Sequence, residues 1–404
     1  MPNKFYITTA IDYVNASPHI GHAYEKICAD ALARWHRFKR EDVYFLTGTD
    51  ENAQKNAQAA QEAGINVEEF VDKNAQIFKD LCRKLELSED DFIRTTENRH
   101  IQVVQKIFAK LHKRGDIYKG NYEGLYCQGC EAFILEKDLK DGKCPEHNIE
   151  PEYIKEESYF FKLSKYQDKI ADLLKKGLVE PQTRRNEILS RLKGGLNDLS
   201  VSRKGLNWGI PVPFDKEHSI YVWVDALINY ISALEYPDGE KFKKYWPADI
   251  HIIGKGINWF HSCIWPAILL SAGIELPKKI FVHGYVNIKG KKISKSQGNI
   301  VDPFKLIQTY GTDALRYFLL RDIPFGEDGD FSHDSFIQRY NGDLANDLGN
   351  LLNRTLTMVE KYYNGKIPEA SSLKKQDEQL KNQTQQLYSE IDKHMKDLKI
   401  NKTF

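Results

Sequence analysis

The sequence predicts an α/β fold: a parallel sheet interrupted by a long insertion and followed by an α-helical segment. Three observations carry that expectation. Apolar strand runs alternate with amphipathic helix patterns from residue 4 onward; the rhythm stops between about 118 and 215 and resumes near 218; from about 324 the chain is polar with helical periodicity only. Strand–helix–strand order implies parallel pairing through right-handed crossovers, so the two rhythmic stretches read as one split sheet. Composition agrees: 404 residues, 41% hydrophobic and 28% charged, is ordinary for a globular chain with at least one large core.

The elements follow in order. "KFYITTAIDYV" (4–14) reads as a buried strand. A helix is expected from about Pro18, with Ile20, Tyr24, Ile27, Cys28, Ala31, Leu32, Trp35 and Phe38 at steps of three and four. Pro18 suits its first turn, where a missing N–H costs nothing. "VYFLTGTD" (43–50) is a second strand, followed by an Ala/Gln/Asn-rich helix. After the insertion, "SIYVWVDALINYISAL" reads as a strand end and helix, and "DIHIIGKG" (249–256) as a strand. "INWFHSCIWPAILLSAG" reads as a helix and "KKIFVHGYVNI" as one strand. In the last part, Leu344, Leu348, Leu351, Leu352, Leu356 and Val359 share a helix face. Beyond 369, Leu380, Leu387, Ile391, Met395 and Leu398 recur at helical steps. The expected division is 1–117 with 216–323 for the split catalytic domain, 118–215 for the insertion and 324–404 for the helical domain.

Charge and targeting signals exclude several classes. Formal net charge is +1, from 58 basic and 57 acidic residues, so contact with a polyanion must come from a local basic surface. No basic stretch precedes a long apolar core at the N-terminus, and "WPAILLSAGI" is too short to span a bilayer. No membrane association and a cytoplasmic location are expected. Six cysteines without a secretory signal read as reduced thiols, unless their spacing indicates a metal.

Four positions have such spacing. "YCQGC…GKCPEH" places Cys127, Cys130, Cys144 and His147 as C-x-x-C and then C-x-x-H. Tetrahedral Zn2+ takes four such ligands from two tight knuckles, and Gly129 and Gly142 suit the turns. A redox C-x-x-C does not explain the second pair. With all four positions protein-filled, the site is structural rather than catalytic. Cys28, Cys82 and Cys263 fall on predicted helices and read as packed thiols.

The chemistry is expected where strand carboxyl ends meet helix starts, because ligands of open parallel sheets bind there. "PHIGH" (18–22) puts His19, Gly21 and His22 on a helix's first turn, whose free N–H groups and dipole favour an anion. Both histidines can donate to phosphate oxygens, and Gly21 leaves a flat base unobstructed. Taken alone, the stretch is equally consistent with two incidental histidines. Far downstream, "GKKISKSQGN" (290–299) leaves the carboxyl end of a strand with Lys291, Lys292 and Lys295. Most lysine runs are solvated surface loops. At this edge, a mobile lysine can follow charge building on a leaving diphosphate.

In order and placement the two stretches resemble the HIGH and KMSKS motifs of class I aminoacyl-tRNA synthetases, with isoleucine in place of methionine in the second. "FLTGTDEN", "YVWVDALINY", "HIIGKGINWFHSCIWPA" and "FVHGYVNIKGKKISKSQGN" are similar to the methionine-specific family. The resemblance covers almost the whole chain. It implies a Rossmann-type catalytic domain, an inserted zinc-knuckle domain that matches the four ligands above, and a helical tRNA-binding domain. It also implies activation of L-methionine with ATP and Mg2+, then transfer to tRNA(Met). On the family's pattern His19, His22 and Lys295, assisted by Lys292, stabilise the phosphates. Gly21, Glu25, Gly254, His283 and Val286 fall at adenosine contacts. The methionine pocket falls on Ala10, Ile11, Tyr13, Asp50, Trp223, Ala226, Leu227, Tyr230, Ile257, His261 and Trp265. Asp50 can pair with the substrate ammonium, aromatic walls suit a thioether, and His261 or Tyr13 can donate to its sulfur. Without the resemblance these aromatics read as ordinary core. Arg203 matches a position facing the substrate, and Asn350 and Arg354, at i and i+4, match anticodon contacts.

Departures are visible. After Asp50 the family often has Glu-His-Gly, where this chain has Glu51, Asn52 and Ala53; Gly256 stands where many members have Asp. The chain stops within the helical region, before the family's aromatic anticodon reader, so adenylate formation with poor tRNA charging is expected. The rivals are a class I synthetase for another amino acid such as cysteine, whose zinc lies in the amino-acid pocket, and a non-catalytic RNA-binding relative. The oligomeric state is left open, with a monomer favoured.

Overall fold

A computed structural model of the chain describes residues 3–129, 132–134, 136–146, 148–288, 290–292, 300–369 and 373–404. The chain divides into two compact units. The first comprises Met1–Pro18, His36–Cys82 and Ser88–Val282; the second comprises His19–Trp35, Arg83–Leu87 and His283–Phe404.

In chain order the first half contains β1 (Lys4–Thr9), β2 (Asp12–Tyr13), α1 (Ile20–Phe38), β3 (Asp42–Asp50), α2 (Gln54–Ala63), α3 (Val67–Lys84), β4 (Asp91–Arg94) and α4 (Asn98–Lys113). The insertion contributes β5 (Ile117–Cys127), β6 (Ala132–Ile134), β7 (Glu152–Phe161), α5 (Gln167–Lys175), β8 (Val179–Glu180), α6 (Gln182–Leu192), β9 (Leu199–Ser200), β10 (Ser202–Lys204), β11 (Pro211–Val212) and β12 (Asp215–Ile220). Then come α7 (Val222–Leu227), α8 (Asn229–Ser232), α9 (Glu240–Tyr245), β13 (Ile250–Gly254), α10 (Trp265–Ala272) and β14 (Ile280–His283).

The main sheet has seven strands in the order β2-β3-β1-β13-β14-β8, with β4 added beside β3. β1 pairs in parallel with β3 and β13, β3 with β2 and β4, and β14 with β8. Parallel strands are covered on both faces and read as continuous apolar runs. β3 fits, with eight successive buried residues after Asp42. Two antiparallel sheets, β6-β5-β7-β9 and β10-β12-β11, are built from the insertion. Their inner residues Tyr159, Phe161, Val201 and Val212 share one apolar core with Tyr44 and Leu46 of β3.

Two strand expectations needed correction. The run 4–14 is two strands: Ala10 N–H makes a last bond to the Ile252 carbonyl, Ile11 lies outside the ladder, and the chain re-enters beside the far end of β3, pairing Tyr13 with Asp50. The run ending at 288 is also two strands. β14 stops at His283, and β15 (Val286–Ile288) joins a separate sheet with β16 (Lys291–Lys292) and β17 (Gly329–Phe331). Gly284 allows the break, since a Cβ there would stand 2.2 Å from the carbonyl oxygen of Glu327. Pro18 precedes α1 rather than opening it.

The second unit continues with α11 (Pro303–Tyr310), α12 (Thr312–Asp322), α13 (His333–Arg339), α14 (Asn350–Tyr363) and α15 (Lys375–Lys396). Asp302 caps α11 through Phe304 N–H, with Pro303 at its first position, and Ser332 caps α13. Leu315, Phe318, Phe331 and Phe336 are buried here. The apolar positions of α14 are open, with Leu351 66% and Leu352 58% exposed. A π-helical stretch over Tyr340–Gly349 precedes it, so Leu344 and Leu348 do not continue its face at 3.6 residues per turn. No described helix is long and apolar enough to cross a membrane.

Candidate active site

In the second unit the head of α1 organises its own histidines. Gly21 N–H donates to His19 Nδ1 at 3.1 Å, and His19 N–H donates to His22 Nδ1 at 3.0 Å. An Nδ1 that accepts carries no proton, so each neutral ring holds its hydrogen on Nε2. The rings stack with centroids 3.9 Å apart. Burial, and then the nearby Lys26 ammonium, push the His22 imidazole down to about 3. Two neutral N–H donors at a helix start can hold an anion without adding titrating charge. Gly21 has a reason here that the sequence did not suggest: a Cβ would lie 2.9 Å from His19 Cε1, displacing that ring.

Close by in the same unit, His283 Nε2 lies 2.8 Å from Glu25 Oε2, and its Nδ1 lies 2.7 Å from the Gly284 carbonyl. The Tyr24 ring meets His283 edge-on. Val286 is buried in β15. The lysine segment is described only at its borders. Lys291 and Lys292 form β16, paired with Ile288 and Asn287. Beyond the segment, the Val301 carbonyl accepts from Ile20 N–H at 3.1 Å, joining its exit to the first turn of α1. Lys295 lies outside the described residues.

The first unit gathers the expected amino-acid pocket. Ala10 follows β1, Tyr13 ends β2, Asp50 ends β3, and Gly254 ends β13, so all four stand at strand carboxyl ends. Asp50 is buried, and its carbonyl accepts from Asn56 Nδ2. Ala226, Leu227, Tyr230 and Trp265 are buried, whereas Ile11, Tyr13 and Ile257 pack against that core while partly exposed. Trp223 is crossed edge-on by Tyr13 at 6.1 Å and stacked by Phe260 at 3.7 Å. Ile257, His261 and Trp265 recur at steps of four through a π-helical turn, Phe260–Ile264. A π turn holds more residues than an α turn, so steps of four stay on one face. His261 Nδ1 donates to the Ile257 carbonyl at 3.1 Å, which leaves Nε2 to accept from Tyr230 OH at 2.7 Å.

Several residues of this cluster escaped the sequence reading. Phe260 was hidden by the π turn, which shifts its face. Lys55 holds its ammonium 3.3 Å from the Tyr13 ring centroid, a cation–π contact between elements that no local pattern announces. His251 lies under Tyr230 at 4.2 Å and accepts from Trp265 Nε1, while its Nδ1 faces Thr8 Oγ1 at 2.8 Å. Burial drives His251 well below the usual histidine range and keeps it neutral.

Arg203 belongs to a strand. It is buried on β10, donates to Ser200 Oγ and the Ser202 carbonyl, and stacks on Tyr221. Asn350 and Arg354 share a face of α14, with Arg354 exposed. Of the four knuckle positions, Cys127 and Cys144 are buried cysteines. Cys130 and His147 lie outside the described residues. The Asn148 N–H to Cys144 carbonyl bond at 2.7 Å closes a tight turn, and Gly142 adopts φ 75°, both features of a knuckle. Two buried cysteine sulfurs suit a thiophilic ion such as zinc. Among the described residues no group of three or more metal-ligating side chains occurs. Cys28 and Cys263 are buried, and burial raises both thiols, as expected for packed cysteines.

The family described as "tRNA synthetases class I (M)" matches residues 5–150 and 134–356. The chain is 52% identical over 399 residues to a methionine–tRNA ligase of Caldanaerobacter subterraneus subsp. tengcongensis, covering 98% of this chain and 62% of that protein. It is also 52% identical over 398 residues to the methionine–tRNA ligase of Thermotoga maritima, covering 96% of this chain and 63% of the relative. The chain therefore spans less than two thirds of the length of these curated relatives. Among solved structures, Mycobacterium tuberculosis methionyl-tRNA synthetase in complex with methionyl-adenylate superposes with a TM-score of 0.96 at 44% identity, covering 99% of this chain and 80% of that one.

Proposed function

This chain belongs to the tRNA synthetases class I (M), and from that premise we propose that it activates L-methionine with ATP and passes the methionyl group to the 3′-terminal adenosine of tRNA(Met). One observation carries the reading. The two imidazoles heading α1 are both locked as Nε2–H donors by backbone N–H groups at their Nδ1 atoms. Such donors are preorganised for phosphate oxygens and need no proton transfer to act.

In the first step a methionine carboxylate oxygen attacks the α-phosphorus of ATP. The bond to the diphosphate bridging oxygen breaks, and the electron pair leaves with diphosphate. His19 and His22 donate to the phosphates as negative charge shifts outward, and Lys295, aided by Lys292, neutralises the leaving group. The Ile20–Val301 bond supports this role by anchoring the chain just past the lysine segment at the same helix start. Gly21, Glu25, Gly254, His283 and Val286 contact the adenosine. Asp50 pairs with the substrate ammonium, and Arg203 faces the substrate. Ala10, Ile11, Tyr13, Trp223, Ala226, Leu227, Tyr230, Ile257, His261 and Trp265 enclose the thioether. Both His261 ring nitrogens are already engaged, Nδ1 by the Ile257 carbonyl and Nε2 by the Tyr230 hydroxyl. Neither step needs a covalent enzyme intermediate; positioning and charge stabilisation suffice.

Mg2+ accompanies ATP and supplies charge neutralisation on the phosphates. Cys127, Cys130, Cys144 and His147 would hold one structural Zn2+, which would supply a cross-link within an inserted domain spanning 118–215. The split catalytic domain is 1–117 with 216–323, and 324–404 contributes Asn350 and Arg354 to tRNA recognition. A cytoplasmic location fits this role. The reading is tested by methionine-dependent exchange of labelled diphosphate into ATP, run beside charging of tRNA(Met). Exchange supported equally by cysteine, or no exchange at all, sinks it.

A further inference from the structure

The walls of the candidate pocket stand on weak elements. α7 has six residues and carries Trp223, Ala226 and Leu227; α8 has four and carries Tyr230. Helices this short do not hold themselves in water. A buried hydrogen-bonded chain lies against both. Asp225 of α7 is fully buried, and its Oδ1 accepts from His100 Nε2 at 2.6 Å. The other nitrogen of His100, on α4, lies 2.7 Å from Ser232 Oγ at the end of α8. Ser232 Oγ in turn donates to the Asn229 carbonyl at 3.2 Å. Asp225 Oδ2 accepts from Asn52 Nδ2 at 2.8 Å, and the same amide donates to the Thr95 carbonyl at 3.1 Å. Asn52 lies two residues past Asp50, on the turn leaving β3.

We propose that the Asn52–Asp225–His100–Ser232 chain is a positioning device for amino-acid recognition, setting the α7 and α8 walls of the pocket relative to the Asp50 carboxylate. None of the four touches substrate on this account, which rests on the methionine-activation reading. Asp225 is the hub: its two oxygens face donors from two separate elements, so losing either donor moves α7. His100 holds one helix with each ring nitrogen. Asn52 passes the position of α7 to the strand end that bears Asp50. The device therefore couples the grip on the ammonium to the fit around the side chain.

The test uses the 404-residue chain. Asn52→Asp keeps the shape but sets oxygens against Asp225 Oδ2 and the Thr95 carbonyl. Its methionine KM in diphosphate exchange is expected to rise about tenfold or more, with the ATP KM unchanged within about twofold. Asp225→Asn, which faces the Asn52 amide with a second donor, should shift the same constant in the same direction. A readout independent of activity is the near-ultraviolet circular dichroism of the Trp223–Phe260 stack. It should change in Asn52→Asp, and that change should vanish in a Trp223→Phe background. The proposal is overturned if methionine KM and spectrum both stay at wild-type values. It is equally overturned if both substrate constants rise together, or if only thermal stability falls. A wild-type chain that performs no methionine-dependent exchange refutes the functional reading, and the spectral comparison still decides the network.

Discussion

His22 has its protonation decided by its own helix. Its Nδ1 accepts a backbone N–H, and burial lowers the imidazole to about 3, whereas an unfolded histidine titrates near 6.5. The folded state thus binds fewer protons between those values. The stabilisation from the neutral ring is complete above about pH 6.5 and is lost as pH falls toward the folded value. Denaturant midpoints of the native chain should drop more steeply between pH 6.5 and 4 than those of His22→Gln. A His22 ring proton titrating near 6.5 by NMR in the folded chain contradicts this. For catalysis, His19→Ala and His22→Ala should each lower the rate of methionine-dependent exchange by about 10²–10³ with little change in methionine KM, as expected when a transition-state donor is removed. If methionine KM rises instead, these rings serve the amino acid and not the phosphates.

Single elements explain where local pattern misleads. The apolar run ending at Ile288 looks like one strand because its residues are uniformly strand-forming. It divides at Gly284 because the backbone of Glu327 and Asp328 occupies the space of any side chain there. Gly284→Ala should destabilise the second unit by about 1–3 kcal/mol, the usual range for overpacking, measurable by chemical denaturation; an unchanged midpoint refutes the close approach. On α14 the apolar positions share a face yet stay open. Leu352→Lys should therefore alter stability by less than about 0.5 kcal/mol, while Phe318→Ala, in the buried cluster of the same unit, should cost about 3–5 kcal/mol. A large loss from Leu352→Lys means that face is covered in solution. The π turn at Phe260–Ile264 keeps Ile257, His261 and Trp265 aligned and carries Phe260 onto Trp223.

At the scale of the whole molecule, one α/β sheet and its insertion share a core, and a second unit holds the histidine helix head with the C-terminal helices. If the four knuckle residues bind as proposed, elemental analysis should find about one zinc per chain, and Cys144→Ser should abolish it. Retention of zinc by that variant sinks the ligand set. The sequence alone determined the split parallel sheet, the helix that begins beside His19, and the paired spacing of cysteines and histidine. Each of these is written in local periodicity or short spacing, which neighbouring residues decide among themselves. Tertiary structure decided the break at Gly284, the burial of Arg203, and the links from Asn52 and His100 to Asp225. Those depend on groups tens to hundreds of residues apart, where close approach of backbone and buried polar atoms sets the outcome and no local pattern records it.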